Sequence, residues 1–269
     1  MASSTPIKLV QITDTHLYGT SDGTLLRMNT ADSLNHVVKM VAHYEEPIDL
    51  ILATGDIAQD ASVAAYENFL EAITPLNAPC RWIPGNHDAA TVMEYVAKES
   101  DLGSKTIQLQ NWYIVMLDTS IVGQVHGRLS ESELEFLQDK LDYVNNTNSI
   151  NHCMICLHHN PVLGTPEWME DIGLQNNELF FKIATSCNKV KAVVYGHIHQ
   201  SLDFEHLGIR CFCTPSTCIQ FKPHAKSFAL DEVNPGYRSF SLHEDGSIES
   251  DVKRIMDSDL DVDLKSDGY

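Results

Sequence analysis

Five short segments gather side chains that bind metals or move protons: Asp14-x-His16, Gly55-Asp56, Gly85-Asn86-His87-Asp88, His158-His159 and Gly196-His197-Ile198-His199. Singly, most have an ordinary reading. Asp14-x-His16 could be a turn aspartate beside a surface histidine, and Gly55-Asp56 a plain strand-end turn. The last segment is the most informative. A strand-like His-x-His puts both imidazoles on one face, where they can chelate, and its glycine permits close backbone approach. Together the segments offer carboxylates, one carboxamide and several imidazoles, with no thiolate. That donor set suits Mn, Fe, Co or Zn in an open site and not a structural cysteine-zinc site. The ligands exceed what one ion needs, and a shared carboxylate would bridge two. Two ions about 3.5–4 Å apart can hold a hydroxide and clamp a phosphoryl group for in-line attack.

The elements that must position these segments follow from periodicity. Residues 7–13, 48–54, 80–83, 153–157 and 192–195 read as apolar strands, and each loaded segment follows one of them. Ligands of open α/β sheets bind at the carboxyl ends of strands. Helical spacing marks residues 30–44, 62–73, 90–98 and 178–186, and Ser130 with Glu133 predicts a capping box opening another helix. Residues 106–110 and 113–117 read as an antiparallel pair. From Gln200 the chain turns strand-rich, with strands at 202–206, 210–214, 239–243 and 248–254 separated by Leu207-Gly208 and Asp245-Gly246 turns. The alternation predicts an α/β protein of layered sheets with helices outside.

The chain has 269 residues and a formal net charge of −19, which argues against a nucleic-acid partner held by counterion release. Bound metals would reverse the local field, so an anionic small molecule stays compatible with it. No apolar run approaches a bilayer crossing, and the first residues lack the pattern of a signal peptide, so no membrane association is expected and the cytoplasm is the default. The seven cysteines, irregularly spaced, read as buried thiols. Residues 1–256 are expected to form one domain. Residues 257–269, with five Asp and one Lys, are expected to be a disordered acidic tail.

In order and register, the five segments resemble the calcineurin-like metallophosphoesterase signature. The blocks 11–16, 53–56, 82–88, 214–223 and 235–238 closely resemble the bacterial class III 3′,5′-cyclic-AMP phosphodiesterases, across nearly everything except the tail. The resemblance implies a four-layer α-β-β-α sandwich holding two divalent or mixed-valence transition-metal ions, Fe or Mn first. It implies that Asp14, His16, Asp56 and His199 hold one metal, that Asp56, Asn86, His158 and His197 hold the other, and that Asp56 bridges. His87 would donate a proton to the leaving oxygen, with Asp88 orienting it. His16, Asp56, Asn86, His87, His158 and His199 would also touch the nucleotide. His159 is left either structural or supporting a ligand. Residues 215–224 either line the pocket or form a turn around a core Phe221, and His126-Gly127 is a similar case.

The implied reaction is hydrolysis of cyclic AMP to 5′-AMP by a hydroxide between the metals. A broader phosphodiesterase for cyclic GMP, 2′,3′-cyclic nucleotides or glycerophosphodiesters would need the same metal residues. A non-catalytic binding scaffold would be expected to lack ligands or His87, and this chain has them all. Oligomeric state is not legible.

Overall fold

Odd and even residues of the central strands go to different neighbours, and that division sets the architecture of the computed structural model, which describes residues 5–164, 166–256 and 260–268. The elements run β1 (Ile7–Ile12), β2 (Thr24–Leu25), β3 (Met28–Asn29), α1 (Thr30–Tyr44), β4 (Leu50–Ala53), α2 (Val63–Ile73), β5 (Cys80–Trp82) and α3 (Ala90–Ala97). Next come β6 (Thr106–Leu109), β7 (Trp112–Met116), α4 (Glu131–Asn146), β8 (His152–Cys156), α5 (Asn177–Ala184) and β9 (Val190–Tyr195). The chain then continues through β10 (Leu202–His206), β11 (Ile209–Cys213), β12 (Gly236–Leu242) and β13 (Ile248–Arg254).

One sheet has the order β13-β12-β1-β4-β5 and the other β10-β11-β9-β8-β7-β6. Ile7, Leu9, Leu50 and Leu52 of the first meet Trp112, Ile114, Met154 and Val194 of the second in a shared inner layer. The intervening residues Val10, Ile12, Ile51 and Ala53 pack outward on Leu34 and Val37 of α1 and Tyr66 and Phe69 of α2. Val115, Ile155 and Val193 pack the other way, on Leu137 and Leu141 of α4 and Phe180 of α5. Period-two alternation with apolar residues on both faces requires a cover on each side. The result is the four-layer α-β-β-α sandwich.

Buried polar groups tie the two sheets together just beneath the ligand-bearing loops. Gln11 Nε2 donates to Tyr195 O at 3.1 Å and to Thr54 Oγ1 at 2.8 Å. Arg238 on β12 donates to Cys213 O at 2.9 Å and Leu202 O at 3.0 Å. All seven cysteines are buried and free. No helix among the described residues is long and apolar enough to cross a membrane.

Three features differ from the sequence reading. Ser130 Oγ accepts from Glu133 N as an N-cap, but the Glu133 carboxylate does not complete a capping box; it accepts from Asp118 N at 3.1 Å and pairs with Lys105. β11 is not confined to the antiparallel region: it pairs antiparallel with β10 and parallel with β9, continuing the alternating sheet. In the tail, the described residues 260–268 contact the body where a solvated end was expected. Leu260 packs against both helix-facing cores, Val262 against one, Asp263 N donates to Leu26 O at 2.9 Å, and Asp261 pairs with Arg27. Alternating apolar residues within the acidic stretch give it a face that can dock. Residues 257–259 and 269 lie outside the described residues.

Candidate metal centre

All eight residues expected to bind metal or act on substrate converge on the carboxyl ends of β1, β4, β5, β8 and β9. They reach it through tight turns. Asp14, His16, Asp56, His197 and His199 have φ of 54°, 47°, 49°, 68° and 47°. Asp and His enter this left-handed region more readily than most residues, and non-glycine residues held there cluster at functional sites. His197 and His199 are therefore not on one face of an extended segment, as the sequence led us to expect. His197 groups with His158 and His159, while His199 groups with Asp14 and His16.

Two glycines make the convergence possible. Gly55 has φ +97°, and a Cβ there would lie 2.5 Å from His158 Nδ1. A Cβ on Gly85 would lie 2.2 Å from Asp56 Oδ1. Each glycine thus yields its space to a neighbouring ligand-type side chain.

Hydrogen bonds to oxygen set the tautomers. His16 Nδ1 donates to Gln59 Oε1 at 2.7 Å, His158 Nδ1 to Thr54 O at 2.8 Å and His199 Nδ1 to Ile219 O at 2.9 Å. In each, Nε2 is the nitrogen turned inward. His197 is the reverse: Nε2 donates to Ile172 O at 3.0 Å, which frees Nδ1. Such outer hydrogen bonds are the usual means of orienting a metal-binding imidazole.

The inward atoms fit cations and little else. His16 Nε2 and His199 Nε2, both lone-pair nitrogens in these tautomers, face each other at 3.2 Å. His158 Nε2 lies 3.3 Å from Asp56 Oδ2, and His199 Nε2 lies 3.3 Å from Asp14 Oδ1. Asn86 Oδ1 is buried without a hydrogen-bond partner. Lone pairs brought together with an orphaned carbonyl oxygen are costly unless positive charge lies between them.

Electrostatics agree. Burial alone would lower the His158 pKa, but the Asp56 carboxylate overrides it and lifts the imidazole to about 9. Burial would raise the Asp56 carboxyl, yet His158 and His87 hold it well below its usual value. Positive charge is thus favoured where Asp56 meets His158, and a bound cation would displace the proton. His16, in contrast, is pushed by burial down to about 3 and is neutral, as a metal-binding imidazole must be.

His159 fails as a ligand. Its Nδ1 pairs with Thr119 Oγ1 at 2.7 Å and its Nε2 donates to Val125 O at 3.1 Å, so both nitrogens are engaged in the wall. Asp88 is tied to the loop backbone. Its two carboxylate oxygens accept from the amides of Ile57, Ala58 and Gly85 at 3.1, 2.9 and 2.9 Å. Asp88 therefore joins the Asp56 loop to the Asn86 loop. His87 is half-buried, its amide donates to Asp56 Oδ1 at 2.9 Å, and its ring lies 5.0 Å from that of His16.

Of the segment 215–224, Ser216 Oγ donates to Asp14 O at 2.7 Å, Ile219 orients His199, and Phe221 lines a cavity over the centre. Gly127 packs on the His159 ring, and Val125 beside it lines the same cavity. Gln59 and Ile172 escaped the sequence reading because an outer hydrogen bond leaves no spacing signature. Trp168 and Phe228, which also line the cavity, come from a segment with no periodic signal.

The 3′,5′-cyclic adenosine monophosphate phosphodiesterase CpdA of Vibrio vulnificus is 40% identical over 269 residues, covering 99% of this chain and 97% of that protein. Its Escherichia coli K12 counterpart is 38% identical over 271 residues, covering 100% and 97%. A dimetal phosphatase from Danio rerio, at 16% identity, superposes with a TM-score of 0.65 over 93% of this chain and 99% of that one, a likeness of fold. Residues 7–201 match the calcineurin-like phosphoesterase family, and with relatives this similar along nearly its whole length, the chain belongs to that family.

Proposed function

We infer that the chain hydrolyses 3′,5′-cyclic AMP to 5′-AMP with two bound transition-metal ions. The observation that carries this reading is the meeting of His16 Nε2 and His199 Nε2 at 3.2 Å beside the orphaned Asn86 Oδ1, in a member of a phosphoesterase family. Asp14, His16, Asp56 and His199 would hold one ion, and Asp56, Asn86, His158 and His197 the other. Their nitrogen and oxygen donors, without thiolate, suit Mn, Fe, Co or Zn, and the family resemblance puts Fe or Mn first. When bound, the ions supply Lewis-acid polarisation of the phosphoryl oxygens and a nucleophile at neutral pH.

The chain's own groups do the rest. His87 stands on the cavity wall beside the metal-binding side chains. It holds the proton that the departing 3′ oxygen takes, because an unprotonated alkoxide leaves poorly. Asp88 fixes the loops that carry Asp56, Asn86 and His87 in one frame, so the proton donor and the ligands keep their spacing. The apolar part of the cavity excludes water from the substrate. Seven free buried thiols suit a cytoplasmic, reducing setting, where such a substrate occurs.

The test is chromatographic product analysis with manganese-loaded protein on 3′,5′-cyclic AMP, 2′,3′-cyclic AMP and a glycerophosphodiester. Clean 5′-AMP, with the other substrates far slower, supports the reading. Turnover of the others alone refutes the substrate and keeps the metal chemistry. No turnover with two metals bound turns the chain into a scaffold.

A further inference from the structure

The acidic C-terminal segment belongs to neither sheet, yet it reaches the cavity over the metal centre. Gly268 lines that cavity together with Asp56, Asn86 and His87, and because it is also exposed it stands at the mouth. The segment is held in two different ways along its length. Residues 260–263 are an anchor: Leu260 and Val262 pack against the helix-facing cores, Asp263 N donates to Leu26 O at 2.9 Å, and Asp261 pairs with Arg27. Residues 264–268 are an arm. Among the described residues, the arm hydrogen-bonds only within itself and to Val262 and Asp263. Leu264 N donates to Val262 O at 3.0 Å, Ser266 N to Asp263 O at 3.1 Å, and Ser266 Oγ to Gly268 O at 2.8 Å. Leu264, the arm's one large apolar side chain, is 46% exposed. It borders a second cavity of about 330 Å³, shared with Met28 and residues 231–235, so the root of the arm is not closely packed on the body. A segment with local hydrogen bonds and few apolar contacts opens at low cost, while its anchor stays down.

Resting on the phosphodiesterase reading, we propose that residues 264–268 are a displaceable gate at the mouth of the metal centre, which admits compact diesters and holds back larger ones. With Gly268 in its wall the cavity measures about 310 Å³, at the low end of the roughly 300–1,000 Å³ of small-molecule sites. A larger diester enters only when the arm lifts. Charge sets the direction of the effect. Asp267, exposed beside Gly268, puts a negative charge where an anion must pass, so the arm opposes entry and does not draw the substrate in. A substrate that binds only the arm-open state loses apparent affinity in proportion to that state's population.

The experiment removes the arm and keeps the anchor. Truncation after Leu264 touches no buried core residue, so the metal-loaded protein should fold and hold its ions, which circular dichroism and elemental analysis check. kcat/KM is measured for cyclic AMP and for its bulkier 2′-O-(N-methylanthraniloyl) ester. With an open population on the order of 1–10%, loss of the arm should raise kcat/KM for the bulky ester about 10- to 100-fold, through KM, and for cyclic AMP by less. An unchanged ratio of bulky to compact turnover would overturn the gate. The rate at which EDTA strips the metals is a second reading that needs no turnover, and it should be faster in the truncated protein. If the unmodified protein hydrolyses no cyclic nucleotide, the functional reading fails by itself and stripping decides the gate: faster metal loss without the arm supports it, and equal rates overturn it.

Discussion

Replacing Gly85 with alanine tests whether the metal centre depends on glycine as a matter of space. A Cβ at Gly85 would lie 2.2 Å from Asp56 Oδ1, 2.5 Å from Asp56 N and 2.8 Å from Asp56 Cγ, whereas ordinary contact begins at 3.4 Å. Gly85 has no left-handed φ to relieve, so the penalty is steric alone. The Asp56 carboxylate is 2% exposed and cannot swing into solvent. Clearing the methyl requires Asp56 or the Gly85 loop to move by about 1 Å, which also breaks the His87 N to Asp56 Oδ1 bond at 2.9 Å. Ligand distances tolerate only about ±0.2 Å, and a misplacement of about 1 Å costs on the order of 100-fold in rate. Overpacking of this kind destabilises by about 1–3 kcal/mol, which leaves most domains folded. Gly85→Ala is therefore expected to stay folded, lose one or both metals, and fall at least about 100-fold in kcat/KM. The assay is elemental analysis of metal per chain, with circular dichroism and kinetics on the same sample. Gly103→Ala is the control, since its Cβ would meet nothing closer than 3.8 Å. Two metals and full activity in Gly85→Ala would refute the steric argument and the placement of Asp56 at the centre.

His87→Ala should keep both metals while kcat falls about 10²- to 10⁴-fold, and loss of metal would make His87 a ligand instead. His159 is held neutral, burial and then His158 pushing it down to about 3, against 6.5 for an exposed histidine. Below pH 6.5 the unfolded chain takes up a proton that the folded chain refuses, so stability falls as pH drops from 6.5 toward 3. Chemical denaturation between pH 6 and 4 should show a slope about 1.4 kcal/mol per pH unit steeper in the natural protein than in His159→Gln, and equal slopes would refute it. Truncation after Met256 removes Leu260, Val262 and the Arg27–Asp261 pair. It should destabilise the protein by about 1–3 kcal/mol, nearly all from apolar burial because the ion pair is exposed, and unchanged thermal unfolding would show that the tail contributes nothing.

The sequence by itself determined the alternation of strands and helices and the place of every ligand segment at a strand's end. Both follow from local signals: apolar period, capping residues and glycine-containing turns. The 30–44 helix and the 248–254 strand have their expected bounds. β12 begins at Gly236 and not at 239, because its pairing with β13, Gly236 opposite Arg254, extends it three residues towards the N-terminus. The donor set and its family resemblance were likewise legible, since they depend on residue type and order.

Tertiary structure decided which nitrogen each histidine presents, because that depends on carbonyls distant in sequence such as Thr54, Ile172 and Ile219. It parted His197 from His199 by left-handed turns, turned Asp88 to three loop amides, and closed His159 into the wall. It also brought Trp168 and Phe228 to the centre and laid residues 260–268 on the body. A side chain's type and spacing state what chemistry it can do. Its direction, protonation and partners are set by long-range packing and hydrogen bonding, which no local pattern encodes.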